Sequence, residues 1–208
     1  MSKKWILFVI LTLFVLAALG SAETGDKKFA IRARYGFAKY QESEYTNGGC
    51  PEFDLAFRLS TKFELGAGFG YYLTKSGGNW LSPGNLYQMP IDLFLHVVPV
   101  PDGKISPYFG GGASYTIFNH QMEAQQALAD VGFEATETVE NSIGYFAGGG
   151  ADIFFSPKMG INVDVKYRII NAKATATITD TVSHVTVSDS ETLKLNGIIF
   201  GFGITILF

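Results

Sequence analysis

The chain has 208 residues, a formal net charge of -3 and 17% charged residues, a mildly acidic balance that offers a nucleic-acid backbone nothing to bind. Hydrophobic residues make up 47% and aromatics 14%, yet beyond the N-terminus no apolar run reaches the ~20 residues that a transmembrane helix needs. One cysteine excludes an internal disulfide, and no Cys/His cluster has metal-ligand spacing.

The first element is a leader. "MSKK" is a short cationic start, Trp5–Leu19 is an apolar run broken only by Thr12, and "GSA" at 20–22 supplies small residues for cleavage. This pattern predicts a signal peptide over 1–22, cut after Ala22, ahead of a single domain over 23–208; the alternative is an uncleaved anchor.

Past the leader a two-residue alternation replaces helical periodicity. In "KFAIRARYGFAKY", Phe29, Ile31, Ala33, Tyr35 and Phe37 share one face, with Arg32, Arg34 and Gly36 on the other. "EFDLAFRLS" sorts Phe53, Leu55, Phe57 and Leu59 from Glu52, Asp54, Arg58 and Ser60. Cys50, just before it in "TNGGCPE", reads as a free thiol in a turn. The same parity runs through Phe63–Tyr72, Met89–Val98, Ile105–Phe118, Ile143–Phe155, Met159–Asn171 and Leu193–Phe208, more weakly in the Gly-rich fifth and sixth segments. Short turns at 60–62, 99–104 and 156–158 alternate with long polar connections at 39–51, 73–88, 119–142 and about 172–192. The expected fold class is all-β: an eight-stranded antiparallel up-and-down transmembrane β-barrel, with short turns on the periplasmic side and long loops outside. "QMEAQQALA" (121–129) fits either a short helix acting as a lid or a surface loop.

Orientation follows from size. An eight-stranded barrel has an interior just wide enough to be filled by side chains, so the bulky parity has to face outward against lipid, leaving Gly and charge within. Tyr35, Phe37, Phe63, Tyr71, Tyr115, Tyr145 and Phe155 near strand ends would form the two aromatic girdles. The twelve uncharged residues "GIIFGFGITILF" then become the lipid face of the closing strand, ending at Phe208. A C-terminal strand of this kind is similar to the signal read by the outer-membrane assembly machinery, which implies a Gram-negative-type envelope with both termini periplasmic.

Inside, Arg32, Arg34, Arg58, Lys166 and Arg168 are set against Glu52, Asp54, Glu64, Asp92, Asp152 and Asp164 in the lower and middle lumen. Unpaired charge there is costly, so a cross-lumen network is expected, as a plug or as an ion path. The outer half collects Tyr72, Phe118, Phe146, Ile170, Leu195 and Ile199, as a pocket for a small apolar solute or as packing for the loops. Catalysis has little support. His96 and Asp92 share a face but lie about 13 Å apart along a strand, His120 and His184 fall in loops, and "GAGFG" (66–70) is inside a strand and so is no phosphate loop. No cofactor is implied.

"MPIDLFLHVVPVPDGKISPYFGGGASYTIF" (89–118) resembles the OmpW family of small outer-membrane barrels, with its Pro-containing fourth strand, short turn and "PYxGxGxxY"-like fifth strand at 107–115. "GGGADIFFSPKMGINVDVKYRII" (148–170) and the terminal Phe are similar as well. The resemblance implies a narrow, largely hydrophobic channel for small apolar molecules, closed toward the periplasm and releasing them sideways into the membrane. The rival expectation is a structural or adhesive barrel whose loops bind a partner over an inert, plugged lumen. No enzyme is expected from the residues, a lipid-modifying enzyme being a further rival that would have to use His120 or His184.

Overall fold

Strands whose one face is apolar and whose backbone lies in an apolar medium are stable only when paired edge to edge until no edge remains. The computed structural model describes residues 29–42, 45–46, 48–60, 62–76, 83–122, 125–130 and 132–208; the predicted leader lies outside the described residues. The described strands are β1 (Phe29–Tyr40), β2 (Gly48–Ser60), β3 (Phe63–Gly70), β4 (Tyr72–Ser76), β5 (Gly84–Val97), β6 (Ile105–Met122), β7 (Phe133–Val139), β8 (Ser142–Phe154), β9 (Met159–Ile169), β10 (Asn171–Asp180), β11 (Thr186–Lys194) and β12 (Gly197–Leu207), with a short helix α1 (Gln125–Asp130) before β7.

Eight walls close the barrel. Their order is β3-β2-β1-β12-β9-β8-β6-β5-β4, every pair antiparallel, with β3 and β4 forming one wall against β5. The last strand meets the first from Ala30↔Leu207 to Tyr40↔Gly197. Phe29 N–H donates to the Phe208 carbonyl at 3.2 Å, and Phe208 N–H to the Phe29 carbonyl at 2.9 Å. The uncharged C-terminal segment is therefore the closing wall.

Side-chain direction is inside-out relative to a barrel that lives in water. Phe53, Leu93, Val163 and Phe202 stand exposed on the exterior, as do all seven expected girdle aromatics, while Arg32, Glu64, Asp152 and Asn162 are almost wholly buried within. A coat of this size is an aggregation surface in water and a buried one in lipid.

Two expectations are corrected. Cys50 is not in a turn: it lies within β2, opposite Gly36, with its thiol buried in the lumen. The preceding Gly48 and Gly49 continue the strand opposite Ala38 and Phe37 instead of ending it. Among the described residues, much of the long connections 73–88, 119–142 and 172–192 is also strand instead of loop. β4 and the outer part of β5 extend one hairpin to Ser76↔Gly84, and β7, β10 and β11 form a three-stranded sheet that prolongs walls β8, β9 and β12 beyond the barrel. Thr and Ser there satisfy strand preference without marking a buried face, which is why polarity alone reads as loop. Ala172, Ala174, Leu193 and Val139 of this raised sheet turn inward and pack with Leu86 and Phe118 over the mouth. α1 packs against β7.

Candidate functional site

Four levels fill the lumen, beginning at the end of the short turns. There Arg32 Nη2 donates to Glu64 Oε2 at 2.9 Å and to Asp152 Oδ2 at 2.8 Å, with its guanidinium over the Tyr108 ring at 4.7 Å. Arg58 adds a bond to Glu64 at 3.3 Å and reaches the Pro101 carbonyl at 3.2 Å, while Asn162 Nδ2 donates to Asp152 at 2.7 Å. One level up, Arg34 meets Asp54, Glu52 (3.3 Å) and Asp164 (3.7 Å). In the third level Lys166 bridges Glu52 (2.7 Å) and Asp92 (3.6 Å), Arg168 pairs with Asp92 at 2.8 Å, and the Tyr72 hydroxyl donates to Glu52.

The eleven charged residues expected in the lumen, Arg32, Arg34, Arg58, Lys166 and Arg168 with Glu52, Asp54, Glu64, Asp92, Asp152 and Asp164, thus lie together in these three levels. Arg32–Asp152, Lys166–Glu52 and Arg168–Asp92 join strands three walls apart and so tie the cylinder across its width, whereas Arg34–Asp54 and Arg58–Glu64 join neighbouring strands.

The fourth level is apolar. Phe118, Ile170 and Leu195 are buried with Tyr45, Leu86 and Leu193 at the mouth. Tyr72 and Ile199 pack just below them with Ala38 and Cys50. Phe146 stands apart: it lies in the charged region beneath Lys166 (5.6 Å) and Arg168 (5.9 Å), beside the Phe94 cluster. Five of the six expected apolar residues therefore occupy two touching layers, and the sixth sits lower. A void of about 10 Å³ separates the apolar layer from Arg168, lined by Tyr40, Tyr72, Gln88, Leu195 and Ile199. A second, of about 20 Å³, lies among Arg34, Asp92, Phe94, His96, Asp164 and Lys166. Each has room for roughly one water molecule.

Several contributors escaped the sequence reading. Phe94 and Tyr108 face inward on either side of His96, with ring centroids 4.4 and 4.8 Å from it. Their parity with Asp92 and Gly110 was the available signal, masked by the aromatic character that marks the lipid face elsewhere. Asn162, Gln88 and Tyr40 complete the polar contacts, Tyr40 accepting from both Gln88 (2.8 Å) and Thr74 (3.0 Å). Tyr45 comes from the β1–β2 connection, where periodicity carries no information.

His120 and His184 do not converge on a nucleophile. His120 Nδ1 lies 3.2 Å from Glu137 on β7, where burial holds its pKa below the ordinary histidine value against the opposing carboxylate. His184 occupies the β10–β11 turn with a φ of 58°. Among the described residues no group of three or more His, Cys, Asp or Glu is placed to hold a metal ion.

Three levels of buried ion pairs cross the lumen among the described residues. The refolded protein in a planar bilayer is expected to pass no ohmic current at neutral pH; steady step currents from the unmodified barrel would refute the plug.

Comparison with known proteins gives the context of this architecture. The family model described as "Outer membrane protein beta-barrel domain" matches residues 8–204. No curated protein sequence matches. Among solved structures the chain is similar to the outer membrane protein OprG of Pseudomonas aeruginosa, with 16% identity, a TM-score of 0.69, and coverage of 88% of this chain and 96% of that one. It is similar to outer membrane protein W of E. coli at 15% identity and a TM-score of 0.56, covering 88% and 98%. It is also similar to the outer membrane protein AlkL, studied in lipid bilayers, at 15% identity and a TM-score of 0.52, covering 90% and 93%. At such identities the likeness is one of fold.

Proposed function

The chain belongs to the outer membrane protein beta-barrel domain family, and from that premise we propose that it takes up small hydrophobic molecules at its mouth, without catalysis, and delivers them into the membrane. In this reading the hairpins and raised sheet face the cell exterior, both termini of the domain over 23–208 are periplasmic after loss of the leader 1–22, and the strand ending at Phe208 is what the assembly machinery engages.

The observation that carries the proposal is the order of the layers. Phe118, Ile170, Leu195, Tyr72 and Ile199 offer a small apolar molecule contacts comparable to those they make with each other, whereas the next level down offers Arg168 paired with Asp92. Parting that buried pair costs several kcal/mol, which an apolar guest cannot return. The axial route is therefore barred, and the resemblance to the OmpW family points to a sideways one.

The wall has a weak point at that height. Pairing of β5 with β3 runs to Phe69↔Ile91 and resumes with β4 at Tyr72↔Gln88, interrupted at Gly70–Tyr71 opposite Met89–Pro90. Pro90 has no N–H to donate, so the ladder cannot be completed there. Its ring side is buried beside Gly70 and Tyr72, at the foot of the apolar layer.

Uptake of a small apolar dye into liposomes holding the refolded protein is the test. Phe118→Ser with Leu195→Ser is expected to slow uptake by removing the apolar surface, and Pro90→Val to slow it by restoring the donor. Equal rates in wild type and both variants overturn the proposal and leave the adhesive barrel with an inert lumen as the better account.

A further inference from the structure

The raised sheet carries its lysines on one face only. Directly paired residues of an antiparallel sheet share a side, so the registers Asn171↔Lys194, Lys173↔Thr192, Ala174↔Glu191 and Ala176↔Asp189 assign every residue of β10 and β11. The carboxylates of Asp180, Asp189 and Glu191 lie on the inner side with Leu193. Lys173 and Lys194 lie on the outer side with rows of hydroxyls, Thr175, Thr177 and Thr179 against Ser190, Ser188 and Thr186.

That outer side is the continuation of the lipid face. The apolar coat ends on three neighbouring walls at Ile143, Ile169 and Ile198, all exposed. The same side then bears Asn171 on β10 and Asn196 between β11 and β12, followed by Lys173 and Lys194. On the adjoining wall Lys39 follows Phe37 and stands opposite Ile198. The carboxylates on this side are Glu140, 3.9 Å from Lys173 with both largely solvent-exposed, and Glu134 at the far end opposite Thr179. An exposed pair at that distance holds the lysine weakly.

We propose that Lys39, Lys173 and Lys194, with Asn171, bind the phosphorylated saccharide headgroup of a glycolipid in the outer leaflet, whose acyl chains lie against Ile169 and Ile198. Continuity selects this occupant over a soluble partner. A molecule that touches both the last apolar rung and the cations directly above it has to be a component of the bilayer. Lysine stems lie along apolar surface while their ammonium groups reach the headgroup level, where anionic lipid attracts them. The hydroxyl rows above present donors and acceptors to sugar hydroxyls and no apolar side chain to repel them. The assignment rests on the orientation proposed above, which places this sheet in the outer leaflet.

The probe is lipid A, a diphosphorylated glucosamine disaccharide carrying acyl chains, doped into phosphatidylcholine nanodiscs around the refolded barrel, with retained lipid counted by native mass spectrometry. The triple variant K39Q/K173Q/K194Q is expected to lower retention roughly tenfold or more, since it removes three cations near the membrane surface. The corresponding triple Arg variant restores it, and K104Q/K158Q at the opposite rim leaves it unchanged. Undiminished retention in the Gln triple, or an equal loss in K104Q/K158Q, overturns the site. Orientation is read separately by labelling Lys194→Cys on intact cells with a membrane-impermeant maleimide. Absence of label overturns the orientation and the leaflet together, while labelling with undiminished retention overturns the headgroup site alone.

Discussion

Replacing Arg32 with Met is expected to cost the refolded barrel about 3–5 kcal/mol, the usual consequence of removing one partner from a buried ionic cluster. The number comes from what stays behind. Arg32 is the shared cation of Glu64 and Asp152, all three almost completely enclosed. Methionine fills much of the volume but supplies no donor, so two carboxylates remain in the lumen with fewer partners than they need. Arg58 and Asn162 hold part of each carboxylate, which is why the cost is bounded instead of abolishing the fold. Arg58→Met should cost less, because Arg58 lies at the rim and its second partner, Asp102, is 85% exposed. Adding Asp152→Asn to Arg32→Met should recover part of the loss by removing one of the stranded charges. Urea unfolding in detergent micelles gives the three free energies. A loss below about 1 kcal/mol for Arg32→Met would mean that the cluster is hydrated, and the plug would lose its physical basis.

The contrast between Arg32 and its partners shows where sequence reading stops. That Arg32 and Arg34 face inward follows from the two-residue repeat of β1 alone. The pairing of Arg34 with Asp54 follows nearly as directly, since Arg32↔Asp54 and Arg34↔Glu52 are opposed across one hairpin. The bond from Arg32 to Asp152 spans 120 positions and depends on how far each wall slides past the next around the whole barrel, a quantity that no local pattern encodes. Phe94 failed differently: it is a large apolar residue on the polar parity, between Leu93 and Leu95, and alternation cannot weigh a single exception. The segment 172–192 failed because its polarity is nearly uniform on both faces over much of its length, so a strand that is stabilised by its neighbours looks like a loop. The six-residue apolar set was legible as inward-facing, but its division between mouth and charged region was not, because height in a tilted barrel depends on the same stagger.

Gly148→Val is expected to prevent folding, whereas Ala147→Val, one residue away, is expected to be nearly silent. Gly148 faces the lumen on β8, opposite Lys166 of β9 and Gly110 of β6. A Cβ placed there would come within 2.7 Å of the Lys166 Cα and 2.8 Å of its Cβ, and closer still to the Val165 carbonyl oxygen. These are backbone or near-backbone atoms of a neighbouring wall, so relief requires moving the wall and, with it, the ammonium that holds Glu52 and Asp92. Overpacking of an ordinary core costs about 1–3 kcal/mol, but here the strain and the broken ion pairs add. Ala147 points the other way, into lipid, where additional methyl groups are accommodated. The readout is the fraction of protein that migrates as the compact, unboiled species on a denaturing gel after refolding. Folding of both variants with equal yield would show that the glycine parity does not line a filled interior, and the inward charge and outward apolar coat would need another explanation. The comparison is sharp because the two positions are adjacent on one strand, both become Val, and they face opposite sides of the wall.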